Sequence, residues 1–347
     1  MPNNGGIARL LLGIYSGLKR LKKEVLVITC AKGPEEVDII RIPYSKRGLL
    51  DLRMYLTLKK FFKRGDIIIT DTWHPAGRMA ACISNEVYIL THGAELLPGS
   101  GLRNSWVWRK YRENTLLKAK GVISNSRYTD SLVKACSAKI RHIAIPLFVD
   151  TNYFYPLQYD KDSYGVRLCS LSRLEKFKGH DFILKTIAQL PENYRNKIIF
   201  EIGGSGIYKK ELEQLTEDLG LSKNVKFCGF IPENQLREFY NRNNLFILTS
   251  REEPENINVE GFGLVFLEAQ ACGLPVIGSL TGGISDSMIN GRTGWQIQPD
   301  NYKQLSELLM KIIDNPGILK KFSKEANNFA IKNNTETYLK KLLDFIK

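Results

Sequence analysis

Short apolar runs alternate with amphipathic stretches along the whole chain, most regularly in its second half. VRLCSLSR (166–173) reads as a strand, and helical spacing follows in DFILKTIAQL (181–190). KIIFEIGGSG (197–206) is a strand ending in glycines, and YKKELEQLTEDLG (208–220) is a helix closed by Gly220. NVKFCGF (224–230) and LFILTS (245–250) predict strands on either side of a helix over 233–243. A helix over 263–273, closed by Gly273, leads into the strand PVIGS (275–279). These strands are near-continuous apolar runs, the pattern of strands buried on both faces. Their alternation with helices predicts a doubly wound α/β domain whose ligand sits at the carboxyl ends of a parallel sheet.

The first half follows the same grammar less regularly. Strands are expected over 24–30, 66–70, 87–92 and 121–126, and helices over 7–22, about 49–64 and about 105–118. The stretch 146–165 loses the periodicity and reads as an interdomain connection. The expected architecture is two Rossmann-like doubly wound domains facing a cleft: residues 1–150, then 151–330, with 331–347 as a C-terminal helix packing back on the first domain. Gly5 and Gly6 and the helix behind them arrive after only four residues, where a doubly wound domain ordinarily has a buried first strand. That strand is therefore expected to be missing.

Composition narrows the class. With 43% hydrophobic and 25% charged residues, the 347-residue chain has the make-up of a soluble globular protein of two or more domains. Six scattered cysteines (Cys30, Cys82, Cys136, Cys169, Cys228 and Cys272) form no C-x-x-C pair, which argues for a reducing cytosol and for packing as small hydrophobes. The net charge of +14 is concentrated: residues 1–150 hold 25 Lys+Arg against 12 Asp+Glu, so 25 − 12 = +13. Such a half suits nucleic acid, an anionic membrane or a phosphate-bearing substrate. No helix-turn-helix, zinc-finger or RNA-motif signature supports nucleic acid, which is kept only as an alternative.

Candidate chemistry gathers in the second half. GGSG (203–206) follows a strand, so Gly204 can bring backbone close to a ligand. Arg173 follows the strand over 166–173 and Lys178 enters the next helix, so two cations at the carboxyl end of the sheet can clamp a diphosphate. Glu268 lies about one turn into the helix that follows Gly263, and the backbone amides of Phe262, Gly263, Leu264 and Val265 are placed to meet phosphate and sugar oxygens. Glu260 approaches on the preceding loop. Each of these residues also has a plain structural reading: a tight turn, a solvated loop charge, a carboxylate at a helix start.

The E-x7-E spacing of Glu260 and Glu268, followed by AQACGLPVIGSLTGG, closely resembles family 4 glycosyltransferases. So do NNGGIAR, THGAE, VISNSRYT, IPLFVDTNYFYP, LSRLEKFKG, VKFCGFIP and INGRTGW, in order, and NVEGFGLVFLEA is most similar to the phosphatidylinositol mannosyltransferase and bacterial polysaccharide branch. The resemblance implies GT-B architecture and retaining, metal-independent hexose transfer, mannose favoured. The donor it implies is GDP-mannose or a UDP-hexose, with no cofactor, and the acceptor a glycan or lipid-linked hydroxyl. Carried over, Arg173 and Lys178 hold the diphosphate, Glu268 the ribose, Glu260 the donor sugar and Gly5 and Gly6 the N-terminal loop. His92 of THG stands by the reacting centre, while His74, His142 and His180 match nothing catalytic.

The basic segments 17–23, 45–48, 57–65 and 103–120 interleave Lys and Arg with aromatics. They read either as solvated helix faces or as a surface for an anionic leaflet. The second reading makes the protein cytoplasmic and peripheral on the inner face of the cell membrane, with no nucleic-acid partner. A transferase inactive without a partner is the remaining alternative.

Overall fold

The computed structural model describes residues 6–30, 38–43, 47–159 and 165–347. The chain forms two compact units: Met1–Phe148, Pro254–Ile257 and Thr335–Lys347 make unit 1, and Val149–Glu253 with Asn258–Asn334 make unit 2. Strands and helices are labelled in chain order.

Unit 1 opens with α1 (Gly6–Arg20), β1 (Val27–Thr29), β2 (Ile39–Arg41), α2 (Arg47–Phe61), β3 (Ile68–Thr70) and α3 (Arg78–Ala80). It continues with β4 (Val87–Thr91), α4 (Trp106–Lys118), β5 (Gly121–Ser124), α5 (Arg127–Cys136) and β6 (His142–Ala144). Among the described residues, β3-β4-β5-β6 is one parallel sheet, and β1-β2 is a separate parallel pair. Every residue of β4 and β5 is buried, which explains their mostly apolar sequence, and the hydroxyls of Thr91 and Ser124 that end them lie 3.2 Å apart. Ser126 caps α5 by accepting from the Thr129 amide at 3.1 Å. The core joins Trp73, Val87, Ile89, Leu116, Val122 and Val133. The expected missing strand concerns the start of the chain, and Gly5 lies outside the described residues.

Unit 2 holds β7 (Val166–Leu171), α6 (His180–Gln189), α7 (Glu192–Arg195), β8 (Ile198–Gly203), α8 (Lys209–Asp218), β9 (Val225–Gly229) and α9 (Leu236–Asn241). After them come β10 (Leu245–Leu248), α10 (Leu264–Ala271), β11 (Val276–Ser279), β12 (Gly294–Ile297), α11 (Tyr302–Asp314) and α12 (Gly317–Lys332). Its parallel sheet runs β12-β11-β10-β7-β8-β9. That is the doubly wound order, and its strand sequence reverses between β7 and β10. The core is largely aliphatic, with Leu168, Ile183, Leu212, Leu245 and Ile247 all inaccessible around Phe200. The last helix, α13 (Thr335–Ile346), belongs to unit 1: the Tyr88 hydroxyl donates to the Ile346 carbonyl, and Leu339 packs against Gly17 of α1.

Two sequence expectations need correction. The strand expected over 24–30 is only Val27–Thr29, because β1 pairs β2 over three residues. Of the six cysteines, Cys169 and Cys272 are buried and the half-buried Cys136 packs against the core of unit 1; Cys30 and Cys228 are half-buried and Cys82 is exposed, so Cys82 does not serve as a core hydrophobe.

His180 opens α6 with no solvent exposure. Its Nε2 lies 3.0 Å from Ser170 Oγ and its Nδ1 has no hydrogen-bond partner. The least costly tautomer donates from Nε2 to the serine and leaves Nδ1 as the bare acceptor. Burial pushes the imidazole pKa down from its ordinary 6.5 to about 4, and the Lys178 charge adds to the shift. Between those values the unfolded chain binds a proton that the folded chain refuses, so stability is full above pH 6.5 and drains as the pH falls towards 4. Urea unfolding near pH 4.5 and pH 7 should show the wild type losing on the order of 2 kcal/mol more than His180→Gln. Parallel losses in the two proteins would remove His180 as the cause.

Candidate active site

The reversal between β7 and β10 opens a crevice at the carboxyl ends of two adjacent strands. The turn after β7 carries Arg173 and Lys178, and the loop after β10 carries Glu260. The two meet: Lys178 Nζ donates to Glu260 Oε2 at 2.7 Å, with both side chains mostly buried. The ammonium also lies 4.5 Å from the centre of the Phe177 ring. One of its three N–H donors is thus committed to Glu260.

Arg173 differs. Its side chain is 74% exposed, and Nη1 donates to Glu175 Oε1 at 2.5 Å. The two cations leave the same turn, one buried on a carboxylate and one in solvent. The backbone of that turn is clasped by GGSG: the Leu174 amide donates to the Ser205 carbonyl at 2.9 Å, and the Tyr208 amide to the Leu174 carbonyl at 3.0 Å. A Cβ on Gly204 would stand 1.8 Å from the Ser172 carbonyl oxygen, and the Gly204 amide already donates to Gly229 at 2.7 Å. The lack of a side chain at Gly204 therefore answers the approach of the strand ends.

Glu260 is held from behind by the turn after β11. The Gly283 amide donates to the Glu260 carbonyl at 2.8 Å. Gly282 has φ +51°, and a Cβ there would come within 2.4 Å of the same carbonyl oxygen. This close approach is the physical reason for a glycine at position 282, downstream of the two glutamates. Helix α10 starts after Gly263, so Leu264 and Val265 carry first-turn amides that lack intrahelical acceptors. Phe262 is buried beside them, ahead of the helix. Glu268 is 1% exposed, and its Oε2 accepts from the hydroxyl of Tyr240 on α9 at 3.0 Å.

Unit 1 has its own cluster at strand ends. His92 follows β4: its amide donates to Glu95 Oε1 at 2.6 Å, and its Nε2 is 2.9 Å from the Asp71 carbonyl. That carbonyl can only accept, so Nε2 is a nitrogen that carries a proton. Asn125, after β5, donates to the His92 carbonyl at 3.3 Å. Burial raises the Asp71 carboxyl pKa, and the nearby His92 partly offsets this. Gly6 is the first residue of α1. The other three histidines have local partners: His142 contacts Asp130 at 2.7 Å, His180 contacts Ser170, and His74 Nε2 lies 3.8 Å from Asp51 Oδ2. His74 lies among Trp73, Trp108 and Tyr111.

Sequence reasoning missed Arg251. Its guanidinium donates bidentately to Asp181 at 2.8 and 3.1 Å and to Asp300 at 2.7 Å, and Nη1 reaches the Lys176 carbonyl at 3.2 Å. Its amide donates to the Phe177 carbonyl at 2.6 Å. Burial opposes its charge, but the hydrogen bonds to Asp300 and Asp181 outweigh that and raise its pKa. The residue braces the turn that bears Lys178 against the loops after β10 and β12. Its position directly behind LFILTS, at a strand's carboxyl end, was the available signal; Asp71 behind DIIIT and Asn125 behind β5 carried the same one.

The Glycosyltransferase Family 4 description matches residues 4–153, and the Glycosyl transferases group 1 description matches residues 158–329. The chain is 29% identical to a GDP-mannose-dependent alpha-(1-6)-phosphatidylinositol monomannoside mannosyltransferase of Mycolicibacterium smegmatis, over 91% of this chain and 87% of that protein. It is also 29% identical to a mannosylfructose-phosphate synthase of Agrobacterium fabrum, over 52% of this chain and 42% of the other. Among solved structures, a sucrose-phosphate synthase from Thermosynechococcus elongatus superposes with a TM-score of 0.81 at 21% identity, covering 98% of this chain and 92% of its own. Anabaena HepE in complex with UDP-glucose gives 0.79 at 20% identity, covering 99% and 96%.

The brace predicts a measurable coupling. Arg251→Met should cost about 3 kcal/mol in chemical denaturation, because it strands the Asp181 carboxylate. Asp181→Asn in the same background should recover part of that loss. Additive losses, with coupling below roughly 0.5 kcal/mol, would show that the two groups act independently.

Proposed function

The chain belongs to glycosyltransferase family 4 and has the GT-B architecture, and from that membership we propose that it transfers a hexose with retained anomeric configuration from a nucleotide diphosphate sugar to an acceptor hydroxyl. The observation that carries this reading is the Lys178–Glu260 pair at the point where the sheet order reverses. A buried ammonium there meets the negative charge that builds on the diphosphate as the glycosidic bond breaks. Glu260 keeps that ammonium in place before the donor arrives and faces the donor sugar, while Arg173 swings in from solvent onto the diphosphate.

The bond changes are those of a front-face displacement. The C1–O bond to the diphosphate breaks, and the acceptor oxygen bonds C1 from the same side. The acceptor proton passes to the departing phosphate oxygen. The leaving-group charge is met by Lys178 and Arg173, and the reading assigns no metal to that task. The amides of Gly263, Leu264 and Val265 meet phosphate and sugar oxygens, and Glu268 exchanges its tyrosine contact for ribose hydroxyls. His92 orients a hydroxyl of the donor sugar in this reading.

Mannose from GDP-mannose is the favoured donor, supported by the name of the Mycolicibacterium relative; the UDP-glucose complex of Anabaena HepE keeps UDP-hexoses as the second choice. A lipid-linked or polysaccharide hydroxyl is the acceptor class, and the same relative, named for a phosphatidylinositol monomannoside, supports the lipid form.

Turnover of GDP-mannose, UDP-glucose and other nucleotide sugars should single out one donor. With it, Lys178→Ala should lower kcat/KM by about 10²–10³. Wild-type turnover in that variant would sink the leaving-group role. An inverted product anomer in proton NMR would sink the retaining route.

A further inference from the structure

Lys178 and Glu260 meet directly, and a second route of hydrogen bonds joins their turns through the backbone. It passes through Thr249, Ser250 and Arg251, the three residues that follow β10. The turn that bears Lys178 presents three carbonyls to them. The Gly179 carbonyl accepts from Thr249 Oγ1 at 3.0 Å, the Phe177 carbonyl from the Arg251 amide at 2.6 Å, and the Lys176 carbonyl from Arg251 Nη1 at 3.2 Å. Gly179 has φ +76°, and a Cβ there would stand 2.1 Å from the Thr249 carbonyl oxygen. Backbone therefore lies against backbone, and the Thr249 hydroxyl fastens the contact.

The Ser250 carbonyl serves the turn after β11 instead. It accepts from Ser279 Oγ and, at 2.8 Å, from Thr281 Oγ1. Two residues beyond Thr281, the Gly283 amide donates to the Glu260 carbonyl at 2.8 Å. The route thus runs from the Lys178 turn through residues 249–251 and 281–283 to Glu260. The Lys178–Glu260 ion pair closes it into a ring. Thr249, Ser250 and Ser279 are buried, so water does not compete for their hydrogen bonds.

A lysine ammonium rides on a flexible four-carbon stem, so its position is set by its tip contact and by the backbone at its root. An arriving diphosphate draws the ammonium away from Glu260, and the root is then what limits its travel. At that stage a displacement of about 1 Å costs up to about 10²-fold in rate. We propose that Thr249 and Thr281 are positioning residues for the leaving-group cation: their hydroxyls fix the Lys178 and Glu260 turns at the separation that the departing diphosphate requires. This role deepens the one given above to Lys178 and rests on it. Both threonines act through Lys178 rather than on the donor.

The test is steady-state kinetics of the full chain with the donor it turns over, in the native and Lys178→Ala backgrounds. Thr249→Val removes the hydroxyl and keeps the shape. The Gly179 carbonyl still accepts from the Phe182 and Ile183 amides at 3.1 and 3.3 Å, so no acceptor is stranded and the variant should fold. Its kcat should fall about tenfold, with donor KM within about twofold of wild type, as for an interaction that matters in the transition state. Thr249→Ser, which keeps the hydroxyl, should bring kcat back to within about twofold. In Lys178→Ala, Thr249→Val should cost less than about twofold more, because the group it positions is gone. Thr281→Val should behave likewise in both backgrounds, and it carries the test should circular dichroism show Thr249→Val misfolded. An equal loss with and without Lys178 overturns the assignment and reduces both threonines to structural roles. So does wild-type kcat in both valine variants, or no recovery with serine. Wild-type turnover in Lys178→Ala removes the leaving-group role and this one with it, whereas an impaired Lys178→Ala with independent threonine losses removes this one alone.

Discussion

An ammonium and a carboxylate 2.7 Å apart, largely out of solvent, set the terms for unit 2. Neither charge tolerates burial alone, since stranding one partner of such a pair costs several kcal/mol. The turns after β7, β10 and β11 must therefore meet closely enough to hold the pair. Gly179 and Gly282 supply two of these approaches, against the Thr249 and Glu260 carbonyls, where a Cβ would come within 2.1 and 2.4 Å. Arg251 adds the brace from the far side by tying two carboxylates and a carbonyl to the Lys178 turn. The glycines and the arginine serve one requirement, a cation kept in place before any anion arrives.

The same requirement explains why the site falls where it does. In the order β12-β11-β10-β7-β8-β9, chain connections leave β7 and β10 in opposite directions across the sheet. In such a sheet the carboxyl ends of the two strands at the reversal are where a ligand is expected. In the proposed reaction, preorganised charge at that point would act on a departing diphosphate without the reorganisation that water would need. Glu268 fits the same logic at one remove. Its buried carboxylate, one turn into α10, accepts a hydrogen bond from Tyr240.

Unit 1 divides its labour differently. Its strand ends hold His92 with a proton on Nε2 through the Asp71 carbonyl, while its surface carries nearly all of the net charge of the chain. The aromatic cluster of Trp73, Trp108 and Tyr111 fixes α4 from the inside. A basic surface and a histidine-bearing strand end are compatible because the first is long-range and exposed and the second is short-range and packed.

The sequence alone determined the local grammar. Unbroken apolar runs marked the strands of unit 2, and Gly220 and Gly273 marked two helix ends, because periodicity and capping are settled within about ten residues. It also singled out Arg173, Lys178, Glu260 and Glu268 as candidate positions by type and spacing. What it left open was which of them touch. Lys178 and Glu260 are 82 residues apart in the chain, and Arg173 and Lys178 only five, yet the distant pair is joined and Arg173 faces solvent. Gly204 was legible as a glycine but not as the neighbour of Ser172, and Arg251 as a charge but not as a brace. Those outcomes depend on strand order and on how closely turns from different strands approach, and short-range pattern carries no record of either.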